Sequence, residues 1–95
     1  MADTTTLSLI GKALSHPLRE RMLRMLADGE RCGCEFAPAL GVDASMVSRY
    51  LGILERAGLV ASRREGVRVL WRVRDLRILA LLEEIEGVVQ EGVMA

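Results

Sequence analysis

Two cysteines stand one residue apart in the stretch ERCGCEF, residues 30–36, and they are the only two in the chain. Thiolates are soft ligands and select soft or thiophilic ions. Where thiols stay reduced, a close pair reads as metal-binding or redox-active rather than as a structural staple. In a regular helix residues i and i+2 point about 200° apart around the axis. Cys32 and Cys34 therefore cannot hold one ion from within a helix. Gly33 between them eases a departure from helical backbone. If Cys34 begins a helix and Cys32 precedes it, the sulfurs can converge. The helix start and Arg31 are then expected to lower a thiol pKa. A disulfide at this spacing closes a tight ring and is expected to be strained. Two unliganded cysteines, or a pair that oxidises reversibly, are the alternative readings.

The remaining chemistry is cationic. The net charge is zero, yet its distribution is uneven. Residues 43–74 hold seven Arg against Asp43, Glu55 and Glu65, a balance of +4. Residues 75–95 hold Arg77 against five acids, a balance of −4. A local basic segment is what a phosphate backbone responds to, not the sum over the chain. One histidine and no convergent Ser, Asp or Glu set argue against a hydrolase, and no enzyme activity is expected.

Ninety-five residues predict one domain, 1–95. Its core is small, and such chains often gain stability by oligomerising. The opening MADTTTLSLIGKALSHP is too polar for a secretory leader, and no apolar run reaches membrane-spanning length. A cytoplasmic location is expected.

The elements that position these groups follow from periodicity. Leu7, Ile10 and Leu14 share one helical face. Ser15 or His16 can cap a second helix with Pro17 in its first turn, and Leu18, Met22, Met25 and Leu26 continue at helical spacing. Asp28-Gly29 is expected to stop it. Residues 33–40 predict a short helix with Phe36 and Leu40 inward, ended by Gly41. Asp43 suits the N-cap of the next helix, whose buried stripe is Val47, Leu51 and Leu54 with Tyr50 at its border. Its opposite face carries Ser45, Arg49, Gly52 and Arg56, with Ser48 beside it. Leu59–Arg64 and Val67–Val73 then flank Glu65-Gly66 as a two-residue hairpin turn. Val67, Val69, Trp71 and Val73 are expected to pack on the body, with a largely cationic face opposite. The last helix starts at an Asp cap. Ile78, Leu82, Ile85 and Val89, widened by Leu79, Leu81 and Val88, need more cover than one small core supplies. This order suggests a mainly α winged helix-turn-helix with a β-hairpin wing.

At this point KALSHPLRERMLRML, ERCGCEFAPALGVDASMVSRYLGILERAGLV and REGVRVLWRV together resemble the ArsR/SmtB family of metal-responsive repressors, over roughly residues 10–90. The resemblance implies a homodimer joined through its first and last helices. It implies an operator-bound repressor that leaves DNA when an inducer binds. An acidic residue followed by Cys-x-Cys, here Cys32 and Cys34, resembles the arsenite type, with As(III) or Sb(III) as inducer. Many such sensors have a third Cys where this chain has Ala37. The N-terminal cysteines of a cadmium/lead site and the C-terminal-helix His of a zinc site are missing too. The third donor that As(III) or Sb(III) prefers is left to solvent, a small thiol or the partner chain.

A recognition helix reads bases from its first turns. The candidates are Ala44, Ser45, Ser48, Arg49 and Tyr50. Arg49 suits a bidentate guanine contact, Ser48 a base or phosphate, and the Ala44 methyl a thymine. The family often has Gln in place of Ala44 and His in place of Tyr50. Arg63, Arg64 and Arg68 are expected on the wing, at phosphates or a minor groove. The expected partner is double-stranded DNA with inverted half-sites, and no membrane. The rival readings are a thiol-redox-responsive repressor using the same cysteines, and a winged-helix module that binds protein.

Overall fold

The computed structural model describes residues 4–94. Residues 1–3 and 95, the ends of the expected 1–95 domain, lie outside the described residues. Five helices and three strands follow in the order α1 (Thr4–Ala13), α2 (Pro17–Met25), β1 (Arg31–Cys32), a 3-10 turn (Gly33–Glu35), α3 (Phe36–Leu40), α4 (Ala44–Arg56), β2 (Val60–Glu65), β3 (Arg68–Val73) and α5 (Arg77–Met94). This is the winged helix-turn-helix expected from the pattern. Among the described residues no helix is long and apolar enough to cross a membrane.

The caps fall where the residue types place them. His16 caps α2, its Nδ1 accepting from the Leu18 N–H at 3.1 Å, with Pro17 in the first turn. Arg19 closes the preceding helix by donating to the Ala13 and Lys12 carbonyls at 2.8 and 3.0 Å. Asp43 caps α4 by accepting from the Ser45 N–H at 3.2 Å. Gly41, at φ +66°, supplies the left-handed residue that separates α3 from that cap. Helix α2 ends at Met25, before Asp28-Gly29, and Leu26 still buries completely beyond its last turn.

Met22, Leu23, Leu26, Phe36, Leu54 and Val60 are the largest fully buried side chains. They gather the inward faces of α2, α3 and α4 against the base of the hairpin. Ile78, Leu79 and Leu82 of α5 pack on the edge of this core. Leu81, Ile85, Val88, Val89 and Val93 of the same helix remain between 58% and 79% exposed, and so do Leu7 at 71% and Leu9 at 43% on α1.

The sheet differs from expectation in three ways. First, it has three strands in the order β1-β3-β2, all antiparallel, because Arg31 pairs with Trp71 and Cys32 with Leu70. Two residues are too few to show alternation, so β1 left no periodic signal. Second, the register pairs Glu65 with Arg68, which moves the turn one residue on, to Gly66-Val67. Gly66 takes φ +62°, which a hairpin turn of this length demands and a side chain resists. Third, Val67 therefore sits at the tip and is 96% exposed rather than packed on the body. Leu70, on the face expected to be cationic, is buried in the row between its cross-strand partners Cys32 and Arg63.

Candidate functional site

The thiol pair lies where β1 becomes the 3-10 turn. Cys32 is the last residue of β1 and the N-cap of that turn, and Cys34 is its second residue. The chain has thus left helical geometry at both positions, and the sulfurs converge. They are joined as a disulfide, with the Cα atoms 5.1 Å apart. This departs from the reduced pair expected from the sequence and is the oxidised form that the alternative reading allowed. Cys32 is 5% exposed and Cys34 is open to solvent. The Cys34 N–H donates to Cys32 Sγ at 3.2 Å. Glu35 completes a capping box, its Oε2 accepting from the Cys32 N–H at 2.7 Å.

Arg31 makes its hydrogen bonds away from the sulfurs. Its Nε donates to the Met25 carbonyl at 2.6 Å and its Nη1 to Glu35 at 3.4 Å, which anchors the loop to the end of α2. Among the described residues no group of three or more His, Cys, Asp or Glu side chains is placed to hold a metal. Opened to the dithiol, the pair would offer two sulfurs, of which that of Cys34 lies on the solvent side. That suits an ion that completes its coordination from outside this chain.

Trp71 stands over the loop from β3. A Cβ added at Gly33 would lie 3.2 Å from the indole Nε1, so the residue between the cysteines must be small. Sequence reasoning placed Trp71 in wing-to-body packing, and the loop is the body it packs on. Gly33, Val69 and Trp71 share a cavity of about 230 Å³ with Ala44, Val47, Ser48 and Leu51 of α4. The thiol loop, the wing and the start of α4 therefore meet at one place.

On α4 the outward residues Ala44, Ser45, Ser48 and Arg49 are all exposed. Tyr50 is a correction. It is only 8% exposed, its ring set edge-on to His16 at 5.1 Å between centroids. The Arg19 and Arg49 guanidinium carbons lie 4.8 and 5.5 Å from its centroid. The helix turns Tyr50 toward the core with Val47 and Leu54, so its ring packs beneath the Arg49 guanidinium and is not on the exposed face expected for it.

The wing arginines divide. Arg64 and Arg68 are exposed and make no ion pair among the described residues. Arg63 is held on both sides. Its Nε and Nη2 meet the two Glu30 oxygens at 2.7 and 2.8 Å, and Nη2 also lies 2.9 Å from Glu65. These hydrogen bonds push the Arg63 pKa up and hold the Glu30 carboxyl below its ordinary range. Glu30 is a residue that charge counting does not single out, because its partner lies 33 positions away.

A helix-turn-helix with an exposed polar face and a flanking hairpin defines the class: a winged helix-turn-helix protein. The model of the bacterial regulatory protein, arsR family, matches residues 16–62. A homodimeric winged helix-turn-helix DNA-binding domain from Mycobacterium bovis superimposes with a TM-score of 0.83 at 32% identity, over 95% of this chain and 83% of that one. The chain belongs to the ArsR family. An uncharacterised HTH-type transcriptional regulator of Mycobacterium tuberculosis is 38% identical over 72 residues, 75% of this chain and 63% of that protein. An arsenic resistance transcriptional regulator of Pseudomonas putida is 35% identical over 74 residues, 77% of this chain and 58% of its own length. The chain thus spans less than two thirds of either curated regulator.

Proposed function

We propose that this chain is a cytoplasmic, homodimeric DNA-binding transcriptional repressor that leaves its operator when a thiophilic metalloid, As(III) or Sb(III), bridges Cys32 and Cys34. The observation that carries the reading is the convergence of the two sulfurs in a loop that abuts both the start of α4 and the wing. Ala44, Ser45, Ser48 and Arg49 are the side chains that meet base edges, and Arg63, Arg64 and Arg68 meet the backbone or minor groove. The exposed apolar faces of α1 and α5 form the dimer contact, in keeping with the homodimeric neighbour. The similarity to an arsenic resistance regulator supports the choice of ion.

The mechanism is a difference in affinity between two states. Soft thiolates take the ion, and the loop settles into a closed form. Because the loop packs on the wing and borders α4, closing it alters the surface offered to DNA. The third donor comes from solvent, a small thiol or the partner chain.

The test is a titration of As(III) into the reduced protein on DNA selected from random sequence. Release by wild type, and by neither Cys32→Ser nor Cys34→Ser, is the expected result. Tight binding indifferent to As(III) would sink the metalloid reading. A second reading, a repressor that responds to thiol oxidation, is favoured by the disulfide itself. It predicts release on oxidation of the wild type without any ion. If no DNA is selected at all, the domain binds protein instead.

A further inference from the structure

The register of the sheet places Cys32, Leu70 and Arg63 in one row across three strands, since Cys32 pairs with Leu70 and Leu70 with Arg63. Paired residues share a face, and neighbouring strands lie about 4.8 Å apart. Cys32 and Arg63 are therefore about 10 Å apart on the same side of the sheet, with buried Leu70 between them. Glu30, two residues before Cys32, reaches over this row and takes Arg63 with both carboxylate oxygens. The thiol loop is thus built into the wing as its third strand, and it holds one of the wing's cations.

We infer that Glu30 competes with DNA phosphate for Arg63, so that the closed thiol loop withholds one backbone contact per protomer and the open loop releases it. This rests on the DNA-binding reading above and names how the loop acts on the interface.

The Glu30 pair is suited to exchange. The Arg63 side chain is 51% exposed and that of Glu30 is 32% exposed, so the pair is open to a competing anion from solvent. A phosphate offers the guanidinium the same two-oxygen geometry as a carboxylate. The second carboxylate, Glu65, is a neighbour on the same hairpin and contacts Arg63 through Nη2 alone. Glu30 differs because it sits on the segment that carries the cysteines. Cys32, its pairing with Leu70 and Glu30 lie within three consecutive residues, so a change at the sulfurs is expected to reach Glu30 through β1. Arg64 and Arg68 have no such tie among the described residues, so their phosphate contacts are expected in both states.

The experiment measures affinity for selected DNA against salt concentration for wild type, Glu30→Gln and Arg63→Gln. Each is measured with the loop closed as the disulfide and open as the dithiol. A water-soluble phosphine opens it: the S–S bond breaks, two thiols form with two electrons and two protons, and phosphine plus water becomes phosphine oxide. The dithiol with As(III) is a second closed form. Trp71, the only tryptophan in the chain and in contact with the loop, reports by fluorescence that each variant has opened and closed.

In wild type, opening is expected to steepen the salt dependence by about one unit per protomer, the signature of one added phosphate contact. Glu30→Gln should show the steep dependence in both states, with closed-state binding tightened about threefold or more, while its Trp71 signal still responds. Arg63→Gln should show the shallow dependence in both. If Glu30→Gln responds to closure as wild type does, or Arg63→Gln still steepens on opening, the inference is overturned and the repressor reading stands. If wild type binds no selected DNA in either state, both fall.

Discussion

Tyr50 shows how one residue's identity and its role part company. It directly follows Ser48 and Arg49, which are exposed, yet its ring is buried against His16 and lies under Arg49. Tyr50→Ala is expected to cost about 3 kcal/mol in a denaturant melt, the usual penalty for truncating a buried aromatic. Tyr50→Phe keeps the ring and should bind selected DNA as tightly as wild type. A large loss in Tyr50→Phe would instead place the hydroxyl at the DNA. Asp75 carries the one pronounced carboxylate shift at a helix start. The Arg77 guanidinium and backbone N–H draw its pKa from 3.8 down to about 2. A depressed carboxylate contributes stability that is present above pH 3.8 and lost as pH falls through about 2. A carboxyl NMR titration should therefore find Asp75 ionised at pH 3. Asp75→Asn should flatten that acid limb of the stability profile, and an Asp75 midpoint near 3.8 would refute the account.

At the scale of elements, α5 is the clearest case of a helix with too much apolar surface for its own domain. Ile78, Leu79 and Leu82 satisfy the core, whereas Leu81, Ile85, Val88 and Val89 face outward. A single domain has no second layer to cover them, and exposed patches of this kind mark contact surfaces. Arg24 of α2 bonds both Glu20 and Glu86, a polar link between α2 and α5 beside that packing. Ile85→Glu is expected to leave the monomer fold intact by circular dichroism and to shift sedimentation from dimer to monomer. An unchanged dimer would move the interface elsewhere. The thiol loop belongs at this scale too. It acts through β1, a strand of two residues whose importance lies in the pairing it makes with β3.

Across the whole molecule, charge is segregated along the chain. The +4 of residues 43–74 falls on α4 and the wing, and the −4 of residues 75–95 on α5 and the turn that leads into it. The surface proposed to meet phosphate and the helix proposed to meet the partner are thereby electrostatically distinct, although the sum is zero. Replacing Arg64 and Arg68 together with Gln should lower the salt dependence of DNA binding by about two units per protomer, uniformly across DNA sequences. Altering Arg49 should change sequence preference instead. A dimer of this size is expected to place half-sites about 34 Å apart, or a multiple of that, which footprinting would show.

Much of the molecule was legible in the sequence because its signals are local. Helical periodicity, the His16-Pro17 and Asp43 caps and the left-handed Gly41 depend on residues within a turn of each other. The order of helices and hairpin follows from them. The cysteine pair was legible for the same reason, whereas the need for a small residue at Gly33 comes from Trp71 on the distant β3. What only the tertiary structure decided are matters of pairing between distant segments. The strand β1, the burial of Tyr50 against His16 and the hold of Glu30 on Arg63 join residues far apart in the chain, and the shift of the turn to Gly66-Val67 follows the register of the whole hairpin. Short strands carry no periodicity, and a one-residue register choice reverses which side chains face the core. Such choices are made by packing across the sheet, which no local pattern records.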